Sequence, residues 1–230
     1  MNQRPIFITG CPRSGTSIIA GVLSQAGVLT GRVDKMYEDI DIREKVMKPF
    51  LTICGIDKEG QYPLPIFHPS TVTQEMGSRW KKKMGYYMAA GKWMYKDSRL
   101  LLINPLLDMV YPGAIWIVVR RETQDIINSC MQTGYMDAFN SEEVRLKTRV
   151  ETIKEGWAWW ESQYAYMINE LKNSGALVYE VWPQKMVEGN YQQMEAILKT
   201  LGIECDTEKL RAFIEPKLWK SIKKENNENN

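Results

Sequence analysis

The residues best suited to chemistry lie near the N-terminus, in the run G-C-P-R-S-G-T-S at positions 10 to 17. Gly10 and Gly15 have the spacing of the phosphate-binding loop G-x-x-x-x-G-K-[ST], in which backbone N–H groups surround an anion. Thr16 stands where that loop has its lysine, and a positive charge appears inside the loop instead, at Arg13. Because arginine can donate two hydrogen bonds to one anionic group, the run predicts an anion-binding loop. The alternative is an ordinary strand-to-helix turn that carries a chance arginine.

A second group of candidate residues follows the continuous apolar run A-I-W-I-V-V at positions 114 to 119. Arg120 and Arg121 come directly after it, and Ser129 is eight residues after Arg121. An arginine and a hydroxyl near a helix N-terminus could form a second phosphate site. The same residues are equally consistent with surface charge in which Asp125 is a salt-bridge partner.

Alternating strands and helices must position these groups. Such alternation predicts an α/β fold of the P-loop type, with a mainly parallel sheet between two helical layers. Ligands of such sheets bind beyond the carboxyl ends of the strands, which directs attention to 10–17, 96–99 and 120–129. The predicted strands are 5–9, 93–95, 114–119 and 176–182, and the predicted helices are 18–26, 39–54, 71–90, 100–110, 123–134, 141–173, 191–201 and 207–214.

Two of the predicted helices have a defined apolar face. The spacing in 39–54 predicts a buried face made of Ile42, Val46, Phe50 and Ile53. The segment 141–173 has apolar residues alternating by four and three, which predicts one long helix with a single buried stripe.

Composition limits the class of protein. The chain has 230 residues, 44% of them hydrophobic and 25% charged, and a formal net charge of +2. These values predict one folded domain, 1–222, followed by a disordered polar tail, 223–230. The small net charge does not favour nucleic acid as a partner, and no apolar run is as long as a membrane span. The four scattered cysteines and the absence of a signal-peptide pattern predict a cytoplasmic protein without a metal site.

Taken together, the motifs resemble those of sulfotransferases that use 3′-phosphoadenosine-5′-phosphosulfate (PAPS). P-R-S-G-T-S, 12–17, looks like their 5′-phosphosulfate loop, and V-V-R-R-E-T-Q-D-I-I-N-S, 118–129, looks like their 3′-phosphate motif. Y-K-D-S-R-L, 95–100, is similar to the K-D-P-R-L stretch of bacterial members. L-V-Y-E-V-W, 177–182, and M-Y-E-D, 36–39, are similar to a strand near their C-terminus and to an acidic element after their first helix.

The resemblance implies the role of each candidate. Ser14, Gly15, Thr16 and Ser17 would bind the 5′ end of PAPS, and Arg121 and Ser129 would bind its 3′-phosphate. Arg13 would bind the donor and stabilise the leaving oxygen without a metal, and adenosine 3′,5′-bisphosphate would be the product. The acceptor would be a hydroxyl or amine of a small or glycan-like molecule.

The general base is the point at which the sequence departs from the family. Cytosolic animal relatives use a histidine near the strand that here reads K-D-S-R, 96–99. Other relatives use a glutamate after the first helix, which favours Glu38, with Asp34 and Asp39 as neighbouring alternatives. His68, in a proline-bounded loop, is a third kind of candidate. Lys96 and Arg99 are expected either to support the sulfonate or acceptor, or to be structural partners of Asp97.

Two other functions are compatible with the same loop. One is a P-loop nucleotide or small-molecule kinase, which would need Mg²⁺. The other is a nucleotide-binding protein that has kept the pocket and lost catalysis.

Overall fold

A parallel sheet lies at the centre of the computed structural model, which describes residues 4–64, 72–86, 93–204 and 206–214. Its strands are β1 (Ile6–Gly10), β2 (Met94–Lys96), β3 (Ile115–Val119) and β4 (Leu177–Val181), in the order β2-β1-β3-β4. β1 pairs in parallel with β2 and β3, and β3 pairs in parallel with β4. β1 is buried along its whole length and β3 along almost all of it, as expected for strands covered on both faces.

Helices cover both faces of this sheet. One core places Ile6, Ile8 and Ile117 against the helices over 16–25 and 192–200. The other places Phe7, Trp116 and Val118 against the helices over 74–84, 104–110 and 153–173. The predicted three-layer α/β fold is therefore confirmed. In the described part of the chain the α-helices are α1 (Thr16–Gln25), α2 (Ile40–Ile42), α3 (Lys48–Ile53), α4 (Gln74–Met84), α5 (Asn104–Val110), α6 (Thr123–Gln132), α7 (Glu142–Thr148), α8 (Ile153–Asn173), α9 (Pro183–Val187), α10 (Gln192–Thr200) and α11 (Thr207–Phe213).

A π-helical turn, Arg43–Met47, joins α2 to α3. The predicted helix over 39–54 is present, and Ile42, Val46 and the partly buried Phe50 pack in the core, but the predicted buried face is wrong at Ile53. Met47 and Leu51 are buried there, and Ile53 is 80% exposed. The wider turn rotates the following residues around the axis by about 100° per extra residue, so a pattern read with α-helical spacing selects the wrong side.

The long helix predicted over 141–173 is broken in two. α7 ends at Arg149, whose φ of 57° is left-handed, and α8 begins after Thr152. The Thr152 hydroxyl accepts a hydrogen bond from the Glu155 N–H, and the Glu155 carboxylate accepts one from the Thr152 N–H. This capping box favours a new helix start over continuation of the preceding helix.

Further differences concern shorter elements. The segment predicted as one helix over 100–110 is a 3₁₀ helix, Ser98–Ile103, followed by α5, which has Pro105 in its first turn. A 3₁₀ turn at Ala138–Asn140 and helix α9 were not predicted. His68 and the predicted tail 223–230 lie outside the described residues. Within the described ranges, no helix combines the length and the apolar character needed to cross a bilayer.

Candidate functional site

The loop between β1 and α1 is shaped by two glycines. A Cβ on Gly10, whose φ is 152°, would lie 2.4 Å from the Val119 carbonyl oxygen of the neighbouring strand. Gly15 caps α1 with a left-handed φ of 98°. Because L-residues with a side chain rarely adopt these conformations, both positions favour glycine. The glycines that suggested an anion-binding loop are thus required for its shape.

The start of α1 has features of an anion site. Its N-cap residue, Gly15, provides no side-chain hydrogen bond, so the first N–H groups of the helix are left for another acceptor. Within the described part of the chain, the buried Ser14 hydroxyl has no hydrogen-bond partner. A buried polar atom without a partner costs stability, and a bound anion can supply the missing contact.

The two predicted anion motifs are in direct contact. Arg13 Nε donates a hydrogen bond to Ser129 Oγ at 2.8 Å, and an Arg121 guanidinium N–H donates to the Arg13 carbonyl oxygen at 2.8 Å. These contacts join the loop after β1 to the loop and helix after β3, 108 and 116 residues away in the chain. Arg13, Arg121 and Ser129 therefore lie together at the carboxyl edge of the sheet.

The two consecutive arginines after β3 have different surroundings. Arg120 forms an ion pair with Glu180 of β4 at 3.7 Å. Arg121 is 12% exposed and has a carboxylate of Asp125 3.7 Å away. Burial lowers the pKa of the Arg121 guanidinium, the Asp125 carboxylate opposes this, and the nearby Arg13 lowers the pKa further. A largely buried guanidinium beside a second cation favours an added anion, which supports Arg121 as an anion ligand.

A second cluster of charges lies beside the loop, at the end of β2. One oxygen of Glu38 accepts a hydrogen bond from Lys96 Nζ at 2.8 Å. Its other oxygen accepts hydrogen bonds from Arg43 at 3.1 Å and Arg99 at 3.3 Å. The Glu38 carboxylate, which is 18% exposed, is thus held in place by three cations. The structure thus brings together Glu38, Lys96 and Arg99, which the sequence indicated as separate candidates without a contact between them.

A sequence comparison identifies the family of this chain. A model of the sulfotransferase family matches residues 5–207 of the 230 residues. The chain belongs to the sulfotransferase family.

Two solved structures are similar to this sulfotransferase in fold. A sulfotransferase from Mycobacterium avium has 14% identity and a TM-score of 0.53, over 94% of this chain and 67% of that one. The sulfotransferase domain of a Synechococcus olefin synthase has 14% identity and a TM-score of 0.54, over 89% and 75%. A comparison with curated proteins gave no match.

Arg99 of this sulfotransferase has a structural partner. Its guanidinium donates two hydrogen bonds to the fully buried Asp97, at 2.7 and 2.9 Å, and the Tyr95 hydroxyl donates a third at 2.7 Å. Burial raises the pKa of Asp97, but the Arg99 charge and these hydrogen bonds outweigh it, and the net pKa is lowered. Of the alternatives stated for Lys96 and Arg99, pairing with Asp97 is therefore found for Arg99, whereas Lys96 is bonded to Glu38 instead.

The acidic neighbours of Glu38 also have contacts of their own. Asp39 is the N-cap of α2, where its carboxylate accepts a hydrogen bond from the Ile42 N–H at 2.9 Å. Asp34 accepts hydrogen bonds from Arg43 and from the N–H groups of Met36 and Glu38. Burial raises the pKa of Asp34, but these hydrogen bonds outweigh it and the net pKa is lowered. Both side chains hold the segment that carries Glu38.

Sequence reasoning missed Tyr135, which contacts Arg13, and Gln61, which binds the segment that carries Tyr135. The Tyr135 hydroxyl is 3.5 Å from an Arg13 nitrogen, and the Arg13 guanidinium carbon is 6.0 Å from the centre of the Tyr135 ring. Gln61 is 5% exposed and binds the backbone of the segment that carries Tyr135. No spacing rule connects residues 61, 135 and 13, so the sequence contained no signal for this contact.

Proposed function

We propose that this sulfotransferase uses PAPS as its donor and a hydroxyl or amine of a small or glycan-like molecule as its acceptor. The supporting observation is the contact of Arg13 with both Ser129 and Arg121, which joins two anion-binding motifs into one site. PAPS carries phosphate at both ends of its adenosine, and such a site matches it better than a single-phosphate ligand. When bound, PAPS supplies an activated sulfuryl group for in-line displacement without a metal.

The residues present fit this donor. The N–H groups at the start of α1 and the Ser14 hydroxyl would bind its 5′ end, together with Gly15, Thr16 and Ser17. Arg121 and Ser129 would bind the 3′-phosphate, since a guanidinium and a hydroxyl are both hydrogen-bond donors to phosphate oxygens. The bond from Arg121 to the Arg13 carbonyl keeps the two halves of the site in a fixed relation.

Arg13 would provide positive charge at the oxygen that leaves the sulfuryl group. Its side chain contacts Ser129 and the Tyr135 hydroxyl, so the guanidinium lies beside one of the proposed 3′-phosphate ligands. A fixed positive charge at the position where negative charge develops lowers the barrier more than it strengthens ground-state binding.

Glu38 is the general base that we propose. A general base must present an oxygen to the acceptor in a defined orientation, and the three surrounding cations hold the Glu38 carboxylate, which is 18% exposed, in one position. Asp34 and Asp39 are less suitable because their oxygens bind backbone N–H groups in the segment that positions Glu38. Lys96, which is 5% exposed and bound to Glu38, would orient this carboxylate. His68 remains an alternative base.

A thermal-shift series tests the choice of donor. Adenosine 3′,5′-bisphosphate, with EDTA present, should raise the melting temperature, because a ligand at 100 times its Kd stabilises the native state by about 2.7 kcal/mol. Ser129→Ala should weaken this shift. Asn128→Ala is the matched control, because Asn128 precedes Ser129 and its exposed side chain binds Gln124. Stabilisation by ATP with Mg²⁺ and not by the bisphosphate would favour a kinase and contradict the proposal. Binding without turnover across a broad acceptor screen would favour a non-catalytic protein.

A further inference from the structure

Gln61 connects two segments of the chain that flank the site. Its amide nitrogen donates a hydrogen bond to the Tyr135 carbonyl oxygen. Its amide oxygen accepts hydrogen bonds from the N–H groups of Asp137 at 3.1 Å and Ala138 at 3.0 Å. One buried side chain thus binds three backbone groups of a segment more than 70 residues away.

The backbone around Gln61 is itself firmly held. The Asp57 carboxylate accepts a hydrogen bond from the Gln61 N–H at 2.8 Å. The Gly60 carbonyl oxygen accepts hydrogen bonds from the Trp160 indole at 3.0 Å and from the Tyr164 hydroxyl at 3.1 Å, and both of those side chains are fully buried. The core helix α8 therefore fixes the position from which Gln61 reaches the other segment.

The same loop is bound to the charge cluster of Glu38. Arg99, which binds Glu38, also donates a hydrogen bond to the Lys58 carbonyl oxygen at 3.1 Å. Residues 57–61 consequently contact the proposed base cluster at one end and the segment of Tyr135 at the other.

Tyr135 lies over Arg13. The tyrosine side chain is 57% exposed, so burial in the core does not determine its position. The position of its backbone is set by the bond from Gln61, and its ring and hydroxyl limit the directions that the Arg13 guanidinium can take.

We propose that Gln61 is a positioning residue for Arg13 and that it acts through Tyr135. By fixing the backbone at 135–138, it keeps the tyrosine over Arg13 and keeps the guanidinium on Ser129, at the end of the loop. One part of this inference rests on the proposed function: Gln61 affects kcat only if Arg13 takes part in sulfuryl transfer. The structural part of the inference, the position of Arg13, holds independently of the reaction.

The variants Gln61→Met and Tyr135→Ala test this inference, alone and combined. The Arg13 Nε–H resonance, assigned by its loss in Arg13→Lys, reports the bond to Ser129 without any substrate. Both single variants should shift this resonance and speed its exchange with water. Each should lower kcat roughly tenfold, since misplacing a catalytic group by about 1 Å can cost about a hundredfold. If Gln61 acts through Tyr135, the double variant should lose no more activity than Tyr135→Ala alone.

Gln193→Met is the matched control. Gln193 accepts a hydrogen bond from the Trp182 N–H at 3.1 Å, so its replacement also removes a bond between a glutamine and the backbone. It should lower the melting temperature and leave the Arg13 resonance and kcat unchanged.

Three results would overturn the inference. In the first, Gln61→Met lowers the melting temperature but changes neither the Arg13 resonance nor kcat. In the second, the losses of kcat from Gln61→Met and Tyr135→Ala multiply in the double variant. The third applies if Gln61→Met does not fold. Tyr135→Ala is then the deciding variant, because this exposed side chain can be removed without emptying the core. An unchanged Arg13 resonance in Tyr135→Ala would contradict the inference. Failure of the proposed function would instead appear as no bisphosphate binding and no turnover in the unaltered protein, with the resonance shifts still present.

Discussion

Removing the side chain of Arg13 tests the proposed chemistry most directly, and the backbone at this residue allows a second control. Arg13 has a φ of 75°, a left-handed conformation that glycine adopts without strain. Arg13→Ala and Arg13→Gly remove the same charge but differ in backbone preference. Any effect of backbone strain should therefore differ between the two variants, whereas an effect of the lost charge should be equal in both.

The expected loss of activity follows from the electrostatic role. A unit positive charge about 4 Å from a developing negative charge contributes about 4 kcal/mol at an effective dielectric constant of 20. Loss of one preorganised donor of this kind raises the barrier by about 3 kcal/mol, which lowers kcat roughly a hundredfold. Both variants should show this loss, and Arg13→Lys should recover part of it because the charge returns without the forked geometry.

Affinity for adenosine 3′,5′-bisphosphate should change much less. Arg121 binds the Arg13 carbonyl oxygen, which every substitution at this residue retains. The bisphosphate Kd should therefore rise by no more than about tenfold, or about 1.4 kcal/mol. Single-turnover kinetics and titration calorimetry on the same preparations give both numbers. An unchanged kcat, or a loss of bisphosphate affinity as large as the loss of kcat, would refute the proposed role.

Two further predictions concern the charges beside the loop. Glu38→Gln should lower kcat at least a hundredfold, while the affinity for the bisphosphate stays within threefold. Asp34→Asn is the control: it changes a neighbouring contact of Arg43 and should retain most of the activity. Comparable losses of kcat in the two variants would contradict Glu38 as the base. Asp97→Asn should destabilise the protein by about 3 kcal/mol at pH 7, because it leaves the buried Arg99 without its closest partner. The pKa of Asp97 is lowered on folding by Arg99, so its contribution is present above the unfolded pKa, about 3.9, and is lost as pH falls through the folded pKa. Urea denaturation of both proteins should show a difference in stability that is constant from pH 5 to 7 and shrinks below pH 4.

The sheet and the location of the site could be predicted because both depend on local sequence. β3 is a continuous apolar run and β1 begins with three apolar residues, Ile6 to Ile8, which is the pattern of strands buried on both faces. The eight-residue spacing from Arg121 to Ser129 extends from a strand end into the following helix, and in the structure both residues contact Arg13. Parallel topology then placed this pair beside the loop that carries Arg13.

The break between α7 and α8 was also readable, although periodicity concealed it. The apolar stripe continues through the break, and Leu146, which belongs to that stripe, is 71% exposed. The T-x-x-E pattern of Thr152 and Glu155 was the better signal, because two reciprocal hydrogen bonds fix a helix start. Apolar spacing gives only the face of a helix and carries no information about where its hydrogen bonding begins.

Contacts between distant loops could not be predicted. The bonds of Gln61 to the segment of Tyr135 depend on how two irregular loops pack on α8, and neither loop has a repeating pattern. A glutamine and a tyrosine also carry no charge that would indicate a site. The three cations around Glu38 come from three different elements, so their convergence follows from the tertiary structure alone.

The π-helical turn links an error in the fold prediction to the geometry of the proposed base. Arg43, the first residue of that turn, binds both Asp34 and Glu38, whereas Met47, its last residue, is buried in the core. A continuous α-helix starting at the Asp39 cap would keep the apolar face that the sequence predicted, with Ile53 inward. The observed burial of Met47 and Leu51 shows that the extra residue lies between the charged start of the helix and its packed end. The turn therefore has the Arg43 guanidinium on Glu38 at its first residue and a core side chain, Met47, at its last, and the core continues into the following helix at Leu51.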